Sequence, residues 1–181
     1  EDIKMGLIES KLNKPYHYLL YSLSVRLGRG MSQFFITVFL MVPLLVLFVG
    51  IPDAGLSFVW AMRFTFLALF GIVVAAVIYM MIGLSAVWLE DADPLFWMTD
   101  KCIMILGGAY VPVALFSPLV RKAAEYSPFG ATMFVAHAFN PDFSDKWLTL
   151  VIVQLVWIGL LVPAVIWQYR RANKKISIHG G

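Results

Sequence analysis

KCIMILGGAYVPVALFSPLVRKAAEYSPFG, residues Lys101 to Gly130, decides how the rest of the chain is read. From Cys102 to Val120 it carries no charge, a run long enough to cross a bilayer core at about 1.5 Å per residue. Yet Gly107, Gly108, Pro112 and Pro118 all fall inside it. Proline removes a backbone donor and clashes with the preceding turn, so a helix here should kink or stop. Arg121, Lys122 and Glu125 make a short polar patch, and Ser127-Pro128-Phe129-Gly130 turns the chain into a second apolar run, Tyr126 to Pro141. That run is too short to span and reads as a re-entrant or interfacial element. A broken span followed by a half-span is more typical of transport pathways than of inert anchors.

Composition agrees with a membrane setting. Of 181 residues, 61% are hydrophobic and 14% charged, where soluble domains carry about a quarter charged residues. The net charge of +3 is better explained by basic loops on the cytoplasmic side than by nucleic acid. Cys102, the single cysteine, excludes an intrachain disulfide and reads as a small apolar filler. Residue 1 is Glu in a polar stretch, without initiator Met or signal peptide, so earlier spans are expected to precede it.

Outward from the central stretch, the expected fold is all-α: a polytopic α-helical membrane protein with four transmembrane helices, an outer re-entrant or interfacial half-helix, and an N-terminal cytoplasmic amphipathic segment. Residues 1–29 are expected to form two short amphipathic helices, with Pro15 between an apolar stripe (Ile3, Leu7, Ile8, Leu12) and an aromatic patch around Tyr16, Tyr18 and Tyr21. Residues 30–181 form the transmembrane domain, with spans at about 31–51, 58–88, 97–119 and 147–169 and the half-helix at about 127–140. Ile51-Pro52-Asp53-Ala54-Gly55 is a turn, Asp93-Pro94 restarts a helix, and Asp145 or Ser144 is the expected cap of the last span. Placing 1–29, 90–101 and 170–181 on one side puts ten basic residues there, against Arg63, Arg121, Lys122 and Lys146 on the other. The ten-residue side is therefore cytoplasmic. Trp60, Trp88, Trp97, Trp147 and Trp167 fall near span ends, as interfacial anchors do.

Enzyme-like chemistry is sparse. The acidic group Glu90, Asp91, Asp93 and Asp100 resembles one half of a Mg²⁺-diphosphate site, but no second acidic motif faces it. The alternative is a solvated loop whose carboxylates cap helices. His17, His137 and His179 lack ligand spacing; the nearest company is His137 with Asp142. No Walker-type phosphate loop and no GxSxG elbow is present. Arg63, near the outer end of its span, is read as a snorkelling anchor.

Two stretches resemble the permease subunits of ABC-2-type transporters whose ATPase is a separate chain. One is Asp2-Ile3-Lys4-x-Gly6-x-Ile8-Glu9-x-x-Leu12-x-Lys14-Pro15, followed by Tyr18-Leu19-Leu20. The other is Phe96-Trp97-x-x-Asp100-Lys101, then Gly107-Gly108, Pro112, Leu115-Phe116, Pro118 and Ser127-Pro128-Phe129. The resemblance covers nearly all of the chain. It implies the third to sixth of six spans in a prokaryotic cytoplasmic membrane, and no catalytic, cofactor or metal site in this chain. It further implies partnership with an ATP-binding cassette ATPase and with a second permease, identical or related, in the lipid bilayer. The segment holding Ile8, Glu9, Lys11, Leu12, Lys14 and Pro15 would couple to the ATPase, and Gly107, Gly108, Pro112, Pro118, Pro128 and Phe129 would shape the pathway. A membrane-embedded enzyme using residues 90–100, or a structural membrane subunit, is the alternative.

Overall fold

The computed structural model describes residues 18–49, 57–89, 91–111, 113–140 and 142–179. Among them there are helices and turns and no strand. The first helix, α1, is Tyr18–Val49. It runs through residue 30 without interruption, so the second of the two amphipathic helices expected within 1–29 is instead the start of α1. Helix α2, Phe58–Ser85, opens on Ser57, whose hydroxyl accepts the Trp60 N–H at 3.1 Å. An N-cap oxygen of this kind satisfies one of the donors a helix start leaves over.

Helix α3, Asp93–Leu106, carries Pro94 in its first turn and Asp93 beside the positive end of the helix dipole. It stops at Gly107, and Gly108 has φ +84°, a left-handed conformation that ends helices and favours glycine. The expected span 97–119 is therefore one continuous helix only to Leu106. At 14 residues α3 is about 21 Å long, short of a hydrocarbon core of about 30 Å. Short pieces follow: a 3-10 turn at Val113–Leu115, α4 at Pro118–Tyr126, α5 at Pro128–Ala131 and a 3-10 helix at Phe134–Phe139. The expected half-helix 127–140 is thus two short helices rather than one. Pro118 and Pro128 stand at the starts of α4 and α5, where a missing N–H costs nothing, and do not kink a continuous span.

The last helix, α6, is Phe143–His179. It begins before the expected cap at Ser144 or Asp145: the Asp142 carbonyl already accepts the Lys146 N–H at 3.1 Å. Among the described residues, two helices are long and apolar enough to cross a membrane, Phe58–Ser85 and residues Phe143–Lys175 of α6.

Packing orders these elements. Helix α1 lies antiparallel to α2: Leu19 packs with Val77, Met80 and Leu84, while Phe34 meets Phe64 with ring centroids 6.0 Å apart. Helices α2 and α6 run parallel. Trp147 Nε1 donates to the Arg63 carbonyl (3.2 Å), Gln154 Nε2 to Leu67 (3.0 Å), Gln168 Nε2 to Met81 (3.0 Å) and Lys175 Nζ to Val87 (3.3 Å). These donors recur at seven-residue intervals, with Leu161 filling the missing position inside an apolar cluster. A seven-residue stripe stays on one helix face when two helices cross at about 20°. One core cluster joins the first halves of α2 and α6 to Ala131, Phe134 and Ala138; the other joins their second halves to the start of α1.

Candidate functional site

Because α2 and α6 are parallel, the chain between them must travel back along the whole of α2. It does so in two parts that meet midway. Helix α3 starts beside the end of α2, where Phe96 stacks on Tyr79 and the Tyr79 hydroxyl donates to the Asp100 carboxylate. It ends where Gly107 faces Met133; a Cβ on Gly107 would lie 2.6 Å from the Met133 Cβ. Met133 follows Thr132, whose carbonyl would lie 2.6 Å from a Cβ on Gly71. Gly71 is about 20 Å along α2, whose length is about 42 Å.

From that level the second part continues toward the start of α2. The Trp60 indole donates to the Ala138 carbonyl at 2.9 Å, level with the first turn of α2. Helix α4 precedes α5 as the other arm of a hairpin turning at Ser127, whose hydroxyl accepts the Gly130 N–H at 2.9 Å. Gly130 is pressed so closely on the Ala124 carbonyl that no side chain fits there.

Short helices leave carbonyls unpaired at every end, and in an apolar setting each needs a protein donor. Three long-range donors supply them. Trp157 Nε1 reaches the Tyr126 carbonyl (2.9 Å) at the end of α4, and Gln154 Nε2 reaches Ala131 (2.9 Å) at the end of α5. Trp60 reaches Ala138 near the end of the 3-10 helix. Gln154 is fully buried and also bonds the Leu67 carbonyl, so one amide ties α6, α2 and the hairpin together.

Between the end of α3, the hairpin and the start of α6 lies a cavity of about 460 Å³. Gly107 and Gly108 line one part of it, and Arg121, Glu125, His137, Asn140, Asp142 and Lys146 converge on it. Lys146 and Asp142 form an ion pair one helical turn apart, which lowers the pKa of the Asp142 carboxyl. His137 sits edge-on to Phe134 at 5.7 Å, and Asn140 Nδ2 is 3.4 Å from its Nδ1. Burial lowers the His137 pKa below its ordinary value, opposed by Glu125 and Asp142 and aided by Lys146.

The residues singled out in the sequence scatter accordingly. Gly107 and Gly108 line the cavity. Pro118 starts α4, Pro128 starts α5, and the Phe129 carbonyl accepts the Thr132 hydroxyl at 2.7 Å. Pro112, Glu90 and the segment with Ile8, Glu9, Lys11, Leu12, Lys14 and Pro15 lie outside the described residues. Asp91 accepts the Asp93 N–H at 3.0 Å and Asp100 holds Tyr79, so these carboxylates serve local structure. No group of three His, Cys, Asp or Glu suited to a metal occurs among the described residues. Trp60, expected as an interfacial anchor, is 7% exposed and works inside the core; Trp97 is 64% exposed. The Arg63 guanidinium lies 5.6 Å from the Trp147 ring centroid. Gln154 and Trp157 were not anticipated, although a glutamine seven residues after Trp147 and fourteen before Gln168 is a visible heptad signal.

Gly108 yields a first expectation. Leucine there must adopt a positive φ, costing about 1 kcal/mol or more, with its Cβ 3.0 Å from Val113 Cγ2. Gly108→Leu should lower the unfolding midpoint in detergent clearly more than Leu106→Ile; equal midpoints would contradict the turn.

Among the described residues the fold is α-helical, with two membrane-length helices and, packed between them, a return path made of a short helix and a hairpin. Comparison with known protein families, characterised proteins and solved structures finds no match to this chain.

Proposed function

We propose that the chain is a permease subunit of an ABC exporter in a prokaryotic cytoplasmic membrane, working with a separate ATP-binding cassette ATPase and a second permease. The carrying observation is the path between α2 and α6: α3 from one side and the α4–α5 hairpin from the other, meeting at Gly107 and Met133. Irregular backbone at membrane depth occurs where protein buries it or where it lines a water-filled path, and broken helices near the midplane are a device of transporters. One of the two stretches that resemble ABC-2 permeases, Phe96 to Phe129, falls in this same path. In this proposal α1, α2 and α6 are three spans, the broken return is the fourth, and the hairpin lies on the outer side. The basic ends of the chain lie in the cytoplasm. ATP is hydrolysed on the partner.

Ile8 and Leu12 share one face of the proposed coupling helix, with Glu9 and Lys11 at its rim and Lys14-Pro15 ending it. Truncating a buried anchor commonly costs about 2 kcal/mol, roughly thirtyfold in affinity. Leu12→Ala in the full-length protein should therefore sharply reduce co-purification of the ATPase encoded with it, and Glu9→Ala less so. Failure of the unaltered protein to retain any such ATPase would remove the proposal's main support.

A further inference from the structure

The cavity between the α3 end and the hairpin has a specific charge pattern. Two cations, Arg121 and Lys146, line the cavity together with two carboxylates, Glu125 and Asp142, and Lys146 is ion-paired with Asp142. The formal charges of these four side chains sum to zero. A ligand carrying both signs can exchange partners with the Asp142–Lys146 pair and leave every charge paired. That pair is open to such exchange, with Lys146 and Asp142 side chains 56% and 47% exposed. A volume of about 460 Å³ suits a small polar group. The chain that supplies Val113 and Arg121 to the cavity also carries two exposed apolar side chains, Leu115 and Leu119, 75% and 80% exposed. A ligand that is zwitterionic at one end and apolar at the other matches both features.

We propose that this cavity binds the headgroup of a zwitterionic phospholipid, with the phosphate between Arg121 and Lys146, the ammonium between Glu125 and Asp142, and the acyl chains along Leu115 and Leu119. Asn140 supplies a neutral donor to the phosphate. Nothing in this depends on ATP or on a partner ATPase, so it stands or falls separately from the exporter proposal.

The test is native mass spectrometry of the full-length protein in detergent, titrated with short-chain phosphatidylethanolamine or phosphatidylglycerol of equal acyl length. The unaltered protein should retain phosphatidylethanolamine about tenfold better, the value of one charge-assisted hydrogen bond. Arg121→Gln, which removes a contact to the phosphate that both lipids share, should weaken retention of both, and Glu125→Gln, which removes an ammonium contact and leaves a net positive site, should shift the preference toward phosphatidylglycerol. Ala136→Trp, at an exposed cavity-lining position, should fill the space and reduce retention even if a charge variant fails to fold. Displacement of the lipid by free phosphoethanolamine would support recognition through the headgroup. Equal retention of the two lipids by the unaltered protein, or undiminished phosphatidylethanolamine retention by Ala136→Trp, would overturn the proposal.

Discussion

Gly71→Ala should destabilise the protein by about 2 kcal/mol, within the range for overpacked interiors, while Gly159→Ala should be neutral or stabilising by a few tenths to about 1 kcal/mol. Both glycines lie inside long helices, where alanine is ordinarily the better residue. What separates them is the neighbour. A Cβ on Gly159 meets nothing within 4 Å, whereas one on Gly71 would sit 2.6 Å from the Thr132 carbonyl oxygen and 3.3 Å from its carbon. Backbone cannot swing aside as a side-chain tip can, so the hairpin must move off α2. Moving it weakens the Trp60, Gln154 and Trp157 bonds that close the carbonyls of residues 126–138. Reversible unfolding in mixed detergent micelles is the measurement, and a Gly71→Ala protein as stable as the unaltered one would show that the hairpin does not seat at mid-helix.

Gln154→Leu should cost about 1–3 kcal/mol, the penalty for leaving a buried polar group without its partner. Leucine is close in volume and fully apolar, so packing by itself predicts a small effect or a gain. The loss comes from the Ala131 carbonyl, which ends a four-residue helix and takes its side-chain hydrogen bond from Gln154. The Leu67 carbonyl lies inside α2 and can rely on its own helix. Gln168→Leu should cost less. Its amide bonds the Met81 carbonyl and the Ser85 hydroxyl, but the residue is only partly buried. A second readout separates hairpin release from general loosening: limited proteolysis should open residues 126–140 in Gln154→Leu before it opens α2 or α6. If Gln154→Leu unfolds like the unaltered protein, the amide does not hold the hairpin.

Both expectations bear on function because they act at the junction that carries the transporter proposal. A hairpin that detaches from α2 no longer meets the end of α3 at Gly107, and the cavity loses Arg121 and Glu125 from its α4 side. Stability variants of the hairpin should therefore also weaken lipid retention, in the order of their effects on unfolding.

Local rules carried the sequence reading far. Long charge-free runs specified α2 and the body of α6, since a helix alone satisfies its own backbone in an apolar setting. Gly107-Gly108 stopped α3, because Gly108 adopts a dihedral that other residues resist, and Pro94 marked a helix start through its missing donor. Each of these signals spans a few residues. What only the tertiary structure decided lies at long separation. Trp157 closing Tyr126, Gln154 closing Ala131 and Trp60 closing Ala138 join residues 31, 23 and 78 positions apart. The same applies to the parallel register of α2 and α6, which turns a broken span into a return path, and to the gathering of Arg121, Glu125, His137, Asp142 and Lys146 at one cavity. Hydropathy marks which segments avoid water. It does not say which carbonyl a buried tryptophan or glutamine will reach, because that partner is selected by how the helices pack, after each has formed.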